Sequence, residues 1–486
     1  MSNPPVAKRA GARAIAILAV AIPIVFVSGC CGRQSDPVDM IPSDADAWLV
    51  TRPPLEMAST LTPLLRKMPG LAGVFELVES TTGMNLADPE SSEWIDPRRG
   101  LMVSSWRSGW LIVAPIRKAG VAGRRLPLQL ARFGFVQGRE ADGVRYFSSA
   151  SRGPACMLVK SGVAMLYAGP DVSCAVLSSL VNPPPDGGTD PRPDPVGAVL
   201  SELDMAGADV VFSVSNSLFG NQVMKAVGLP TRGAAAMIAR GLIGDLRGAA
   251  RLGDDIVLRV SAGAAGVGFK QSPAVSHAGA PLSVEVTVGP SVRPLLDAAV
   301  PLAGKRVRGL DALLSLWSGT MRLVADSAAT SDQQTVSTGR TFATRLLTRF
   351  DVRLSAGLKT QPGKALELIS KRFGVVPPAE GAPSMIDFSY RGFTVHAATS
   401  DERLDAVVTG APSGSSASIG AAPGLPPAPS GSRVISAAVD PELVLKTSGL
   451  ASIDYLVHLV DPIRLFLADV YYEAGRVVVD ARVEVR

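Results

Sequence analysis

The sequence predicts an α+β fold of two similar domains, each an antiparallel sheet with helices packed on one face. Three observations predict it: strands that alternate apolar and polar residues, pairs of strands separated by tight turns, and the same series of segments twice along the 486-residue chain. Alternation indicates a sheet with one covered face, and closely spaced strands indicate antiparallel hairpins. With 47% hydrophobic residues the chain can form packed cores, and its length fits roughly two to four domains.

The first 29 residues are predicted to be a cleaved lipoprotein signal peptide. A basic segment at 8–13 precedes an apolar run at 14–27, which is shorter than the about 20 residues that a spanning helix needs. The run ends in Val-Ser-Gly before Cys30, which resembles the lipobox of bacterial lipoproteins. The resemblance implies that the Cys30 thiol accepts the lipid and that Cys30 becomes the first mature residue. The alternative is an ordinary signal peptide followed by an incidental cysteine.

Residues 30–40 are predicted to be a polar, lipidated tether that holds the protein at the bacterial cell envelope. Stable anchoring takes more than one acyl chain. The chain is therefore predicted to be held at the membrane by several acyl chains on Cys30. In the familiar Gram-negative sorting rule, an Asp after the lipidated cysteine retains the protein in the inner membrane. Cys31 stands in that place here, which favours the outer membrane, with the protein facing the periplasm.

The charge balance argues against a nucleic-acid partner. The whole chain carries 48 Lys and Arg and 43 Asp and Glu, and removing the signal peptide leaves 45 basic against 43 acidic residues. Nucleic-acid binding needs a concentrated basic face, and the sequence contains neither such a face nor an RNA-binding or zinc-finger signature.

Cys156 and Cys174 are predicted to form a disulfide. The surrounding segment predicts strand, turn, strand and a helix beginning at Pro170, with Cys156 on the first strand and Cys174 one turn into the helix. An envelope compartment permits disulfides, and closing a loop of about 19 residues contributes roughly 3 kcal/mol in the entropic account. The alternative is two buried free thiols. No third ligand-type residue is close in sequence, so no metal site is predicted.

The two predicted domains span 41–268 and 279–486, and we interpret them as copies of one duplicated domain. Each contains a segment rich in Pro, Gly and Ser, at 182–196 and 410–432, which is predicted to be a flexible insert because it has little apolar surface to bury. Matching strands and helices precede and follow these inserts in the same order. Chance similarity between amphipathic segments is the alternative.

Within each copy, alternating strands lead into helices that begin at proline, whose missing N–H has no helical partner in the first turn. The predicted helix-opening prolines are Pro54, Pro170, Pro290, Pro362 and Pro441. Tight turns are predicted at 253–255 and 473–475. A helix that is apolar on most faces is predicted at 453–472, either deeply buried or lining a lipid-accepting groove. An Arg-Phe-Gly motif at 132–134 recurs at 372–374.

No catalytic or metal-binding constellation is predicted. The histidines lack a second His or a carboxylate at metal-ligand spacing and are expected to be structural or exposed; they are His277, His396 and His458. The sequence contains no G-x-S-x-G nucleophile motif and no phosphate-binding loop, and the pair Asp254-Asp255 suits a turn.

Two further groups of residues have both a structural and a functional interpretation. An acidic loop lacks the regular ligand spacing of a calcium loop, so metal binding is not expected at its carboxylates, Glu90, Glu93 and Asp96. A cluster of tryptophans is expected in the core, with a carbohydrate-binding or partner surface as the alternative; these are Trp94, Trp106 and Trp110.

The phrases "MIPSDADAWLVTRPP" and "GMNLADPESSEWIDPRRGLMVS" resemble a family of uncharacterised bacterial envelope lipoproteins with tandem domains. The resemblance implies no activity, cofactor or catalytic residue. The sequence therefore predicts a lipid-anchored, non-enzymatic envelope protein with a structural or protein-interaction role, whose partner is an envelope protein or a lipid. One alternative is a periplasmic binder or carrier of an apolar ligand such as a lipid. A second is a hydrolase with an unrecognised site.

Overall fold

The computed structural model divides the chain into two compact units, Met1–Phe269 and Lys270–Arg486. The structure describes residues 36–68, 88–151, 153–169, 174–181, 194–218, 244–263, 282–288, 315–327, 350–359, 362–376, 385–390, 393–400, 402–409, 433–442, 444, 461–473 and 476–486. The predicted signal peptide, the insert at 410–432 and all but the last three residues of the insert at 182–196 lie outside these ranges.

The described part of the first unit is a ten-stranded antiparallel sheet with four α-helices. The strands are β1 Ala47–Thr51, β2 Met102–Trp106, β3 Gly109–Pro115, β4 Val136–Ala141, β5 Val144–Ser149, β6 Gly153–Lys160, β7 Val163–Ala168, β8 Val210–Val214, β9 Asp245–Arg251 and β10 Asp255–Gly263. The helices are α1 Pro54–Lys67, α2 Ala119–Arg132, α3 Ala175–Val181 and α4 Pro195–Leu203, with short 3₁₀ helices at Pro37–Met40 and Pro89–Ser91. The order across the sheet is β4-β5-β6-β7-β3-β2-β1-β8-β9-β10.

The described part of the second unit is a nine-stranded antiparallel sheet with one long helix. The strands are β11 Leu282–Thr287, β12 Trp317–Ser327, β13 Phe350–Leu358, β14 Met385–Tyr390, β15 Phe393–Ser400, β16 Arg403–Thr409, β17 Arg433–Val439, β18 Ile463–Glu473 and β19 Arg476–Val485. The helix is α5, Pro362–Phe373. The order across the sheet is β14-β15-β16-β13-β12-β11-β17-β18-β19.

The two sheets have the same strand order, apart from one strand. In the first unit β1 lies between β2 and β8, and in the second unit β11 lies between β12 and β17. The strands β8 and β17 are each the first of the three strands that end their unit. In each unit a helix follows the third strand, α2 after β3 and α5 after β13. Strand β4 has no counterpart in the described part of the second unit. The antiparallel sheets are therefore confirmed, and with few helices the chain is sheet-rich rather than clearly α+β.

Helices cover both faces of the first sheet, so the prediction of helices on one face is wrong for this unit. Helix α2 buries Leu126 and Leu130 against the face that includes Ile112 of β3. Helix α3 buries Leu177 against the face that includes Leu111. Neighbouring residues of a strand point to opposite faces, so these helices lie on opposite sides of the sheet. A strand buried on both faces has a continuous apolar sequence, as in the run "WLIVA" of β3.

The Arg-Phe-Gly motif ends a helix in the same way in both units. Gly134 and Gly374 have positive φ angles of 81° and 70°, a backbone conformation that glycine adopts without a side-chain penalty. The next N–H groups turn back onto the helix: Phe135 donates to the Leu130 carbonyl at 3.0 Å and Val375 to the Ser370 carbonyl at 2.9 Å. This pattern is a Schellman-type helix end, and it turns the chain away from the helix axis.

Several predicted elements are confirmed, and one is wrong. Helices α1 and α5 begin at Pro54 and Pro362, and a turn separates β9 from β10 where predicted. Residues 474 and 475 of the other predicted turn, and the predicted helix start Pro290, lie outside the described residues. The helix predicted at 453–472 is wrong from Ile463 onward, because β18 occupies Ile463–Glu473. Pro462 precedes this strand and cannot continue a helical hydrogen-bond pattern, while pairing with β17 and β19 satisfies the extended backbone. Residues 453–460 lie outside the described residues.

The folded part of the first unit begins before the predicted tether ends. The side chain of Asp36 accepts a hydrogen bond from the Val38 N–H at 3.1 Å and so caps the 3₁₀ helix Pro37–Met40. Met40 is buried in the same apolar cluster as Leu111 and Leu177. The segment between Cys30 and the folded unit is therefore shorter than the predicted tether at 30–40.

Candidate functional site

The disulfide between Cys156 and Cys174 is present. Cys156 lies on β6, and Cys174 immediately precedes α3, which begins at Ala175; the predicted helix start Pro170 lies outside the described residues. Their Cα atoms are 5.5 Å apart, and both residues are buried. The bridge therefore fixes the start of α3 against the sheet. Cys30, the predicted lipidation site, and Cys31 lie outside the described residues.

One face of the second sheet is lined by polar side chains over seven neighbouring strands. Because directly opposed residues share a face, the strand register defines a single row across the sheet. The row runs through Asp405, Ser355, Arg322, Glu285, Ser436, Asp469 and Asp480. We call this row and its immediate neighbours the polar face. Helix α5 lies on the other side, packed on Leu358, Ile386 and Leu404.

Two groups of charged side chains on the polar face are neutralised by their neighbours. Arg322 forms an ion pair with Glu285, which is buried. The Arg403 Nε donates to Asp405 Oδ1 at 2.7 Å, and its Nη2 donates to Ser355 Oγ at 2.9 Å. The Ser355 hydroxyl in turn donates to Asp405. A buried carboxylate needs a cation or donors of this kind, because burying an unpaired charge is costly.

Of the three histidines considered in the sequence, His396 lies within the described residues, and it is on the polar face. It is 9% exposed, and its Nδ1 lies 2.8 Å from Asp387 Oδ1 on the neighbouring strand β14. Nδ1 pairing of this kind orients an imidazole, as in an Asp-His-Ser triad. Within the described residues, however, Nε2 has no hydrogen-bond partner, so no hydroxyl nucleophile is positioned there. His277 and His458 lie outside the described residues.

The corresponding face of the first sheet is apolar over six strands. Its central row contains Met165, Val113, Met102, Val50, Val211 and Ala249 on successive strands, and it ends at the buried Arg259 on β10. Helices α3 and α4 follow β7 and supply Leu177 and Val199 to the clusters on this sheet. In the second unit the segment between β16 and β17 has only two large apolar residues, Ile419 and Leu425. A sheet face without apolar helices to cover it is stable with polar side chains.

The tryptophans contribute to the cores of the first unit. Trp94 and Trp106 are buried in two different clusters, and Trp110 is half-buried against the first of these. The Trp106 Nε1–H donates to Asp44 Oδ1 at 2.7 Å, which satisfies its one polar group. The core interpretation is therefore confirmed for Trp94 and Trp106.

Arginines pair with each carboxylate of the acidic loop. The pairs join Glu90 to Arg98 at 3.5 Å, Glu93 to Arg125 at 3.0 Å and Asp96 to Arg99 at 3.0 Å. Throughout the part of the chain that the structure describes, no three His, Cys, Asp or Glu side chains come close enough together to hold a metal ion. Among the described helices, none is long and apolar enough to cross a membrane.

Comparisons with known proteins give only weak similarities. No protein-family model matches the chain, and no curated protein matches it. Among solved structures, TP0453 in crystal form IV is 15% identical, with a TM-score of 0.29, covering 47% of this chain and 81% of that one. Crystal form III of TP0453 is 13% identical, with a TM-score of 0.30, covering 55% of this chain and 88% of that one. Scores this low support no functional comparison.

Proposed function

We propose that the chain is a lipid-anchored protein of the bacterial outer membrane that faces the periplasm and acts through surface contacts. The observation that carries the proposal is the N-terminal pattern of basic segment, apolar run and Val-Ser-Gly-Cys30. Asp36, which caps the first 3₁₀ helix, is six residues after Cys30. Six extended residues span at most about 21 Å, so the anchor would hold the first unit close to the bilayer.

A non-enzymatic role is part of this proposal. On the polar face, Arg322 and Arg403 are engaged by carboxylates, and the His396 imidazole is oriented without a nucleophile among the described residues. A catalytic site needs a nucleophile, base and donor groups converging on one space. The described side chains favour a partner-binding surface, with an envelope protein as the partner class.

We also propose that the two units arose by internal duplication. The shared strand order and the Arg-Phe-Gly helix ends at 132–134 and 372–374 support this. The contrast between the two rows then reflects divergence after duplication, since the sequence between β16 and β17 has only two large apolar residues, Ile419 and Leu425.

Replacing the lipid acceptor tests the anchor. Expressed in a Gram-negative host, the Cys30→Ser protein should move from the membrane pellet to the soluble envelope fraction, because it has no acyl chains. The matched control is Cys31→Ser, which removes the adjacent thiol and should remain in the pellet. A Cys30→Ser protein that still sediments with carbonate-washed membranes would contradict the proposal.

A further inference from the structure

The outer edge of strand β5 in the first unit is occupied by the chain itself. After the helix end at Gly134, the chain continues directly into β4, which pairs with β5 through Gln137 opposite Phe147 and Glu140 opposite Arg145. The main-chain groups on that side of β5 therefore have a neighbouring strand.

The corresponding position beside β14 has no strand within the described residues. Strand β14 matches β5 in the sheet order, and its described pairing is with β15 alone. The chain after the matching helix end continues from Val376 into Pro377 and Pro378. Proline has no N–H to donate, so this sequence is poorly suited to form the equivalent of β4.

Exposed apolar side chains accompany this edge. The described part of the second unit exposes five large hydrophobic residues, and three lie on β14 or at the end of α5: Phe373 at 41%, Val376 at 84% and Met385 at 45% exposed. The Phe373 ring stacks on Phe388 of β14, with ring centroids 4.8 Å apart. An edge that has no partner strand among the described residues, and that lies beside apolar side chains, is an aggregation hazard unless something pairs with it.

The last turn of α5, beside this edge, is positively charged, whereas β14 itself carries Asp387, which pairs with His396. Lys371 and Arg372 are exposed in the last turn of α5, and Lys371 reaches only a distant partner, Glu367, at 3.9 Å. The binding of an extended segment along β14 would therefore be stronger if that segment had acidic residues close to Lys371 and Arg372.

We propose that β14 is a docking edge for an extended segment of another envelope protein, which adds a strand to the sheet. Main-chain hydrogen bonds to β14 would supply affinity, and alternate apolar side chains would pack on Phe373 and Phe388. The segment takes the place that β4 occupies in the first unit. This inference rests on the proposed interaction role and names its partner class.

A synthetic peptide tests the proposal on the full chain. The probe is a fluorescent ten-residue peptide in which valine alternates with glutamate or threonine, and the control peptide has proline at two central positions. Binding is measured by fluorescence anisotropy and located by amide hydrogen exchange. The probe should bind saturably and slow exchange in β14, whereas the proline peptide should not.

Two variants and a matched control locate the site. Val376→Ser and Phe373→Ser should each weaken binding by about tenfold, the change expected when an interface side chain of this kind is truncated. Because Val376 is exposed, its substitution leaves the fold intact even if Phe373→Ser disturbs α5. Val136→Ser changes an exposed valine of the first unit, 68% exposed against 84% for Val376, where β4 fills the position, and should leave binding unchanged.

Other outcomes would overturn the inference. Two concern the probe peptide: it does not bind saturably, or it slows amide exchange only away from β14. Two concern the chain without peptide: the β14 amides already exchange as slowly as those of β5, or they become protected as the protein concentration rises. The last would assign the edge to a second copy of this chain. Lipidation of Cys30 is measured separately by mass, so a lipidated chain without peptide binding overturns only the docking edge, and an unlipidated chain that binds overturns only the anchor.

Discussion

At the scale of single residues, a buried ion pair joins three parts of the first sheet. Asp209 precedes β8 and is fully buried, and it accepts hydrogen bonds from Arg52 after β1 at 3.2 Å and from the Leu252 N–H at 2.7 Å. Leu252 lies in the turn between β9 and β10. One carboxylate thus satisfies a backbone donor and a guanidinium at the same end of three strands.

Replacing Asp209 should be strongly destabilising. Asp209→Ala should lower the free energy of unfolding by about 3 kcal/mol, because the Leu252 N–H and the Arg52 charge lose a buried partner. The matched control is Glu56→Ala, which removes the exposed partner of the same guanidinium, bound at 2.8 Å. Exposed pairs contribute only about 0–1 kcal/mol. Urea denaturation compares the two, and equal losses would contradict this explanation.

Tyr167 gives the first unit a pH dependence at alkaline pH. Its hydroxyl donates to the Trp106 carbonyl at 3.1 Å, and burial raises the pKa of Tyr167 above its ordinary value, although the charge of Arg107 opposes this. A raised pKa in the folded state means that its contribution to stability is fully present below about pH 10 and is lost as pH rises through the folded pKa.

Removing the Tyr167 hydroxyl tests both effects. Tyr167→Phe should cost about 1 kcal/mol at pH 8, the net value of one hydrogen bond. Unfolding midpoints measured from pH 8 to 11.5 should fall less steeply above pH 10 in the variant than in the native chain. Parallel curves would show that another group causes the alkaline loss.

At the scale of elements, local signals predicted positions well where one residue type has one structural use. Pro54 and Pro362 begin helices as predicted, whereas the helix ends at Gly134 and Gly374 were not predicted, although glycine after a helix is a recognisable signal. The misplaced helix at 453–472 illustrates the limit, because apolar content on several faces suits a buried strand as well as a buried helix. The partner strands of β18, which are distant in sequence, decide between the two.

Adding a side chain at the glycine that ends the helix should lower stability by the same amount in both units. Gly134→Ala and Gly374→Ala should each cost about 1 kcal/mol, because an L-residue is strained at positive φ although the space around each Cβ is open. Gly363→Ala is the control, since its Cβ also meets open space and its φ is not in this region. Thermal unfolding should show losses for the first two only, and a similar loss for Gly363→Ala would refute the conformational cause.

The disulfide acts on one element, α3. Removing it in the Cys156→Ser, Cys174→Ser double variant should lower the free energy of unfolding by about 3 kcal/mol, as expected for closing a loop of this length. Exchange of α3 amides should accelerate more than that of α2 amides, because α2 packs on the opposite face. Equal acceleration in both helices would indicate that the bridge acts only through the unfolded chain.

At the scale of the whole molecule, the sequence predicted the antiparallel sheets but neither how far they outweigh the helices nor which faces are covered. The alternation in "SVEVTV" correctly indicates one polar face in the second unit, whereas the continuous run in β3 indicates a strand buried on both faces in the first. The polar face was missed because its seven residues come from seven separate strands and become a row only through strand pairing. His396 illustrates the same point, since Asp387 is its partner only across β14 and β15.

The attachment of the chain to its membrane is the central claim, and the mass of the native protein tests it most directly. Protein purified from membranes in mild detergent should have the mass of residues 30–486 with one disulfide and acyl chains on Cys30. An unlipidated protein, or one that begins at another residue, would contradict the account.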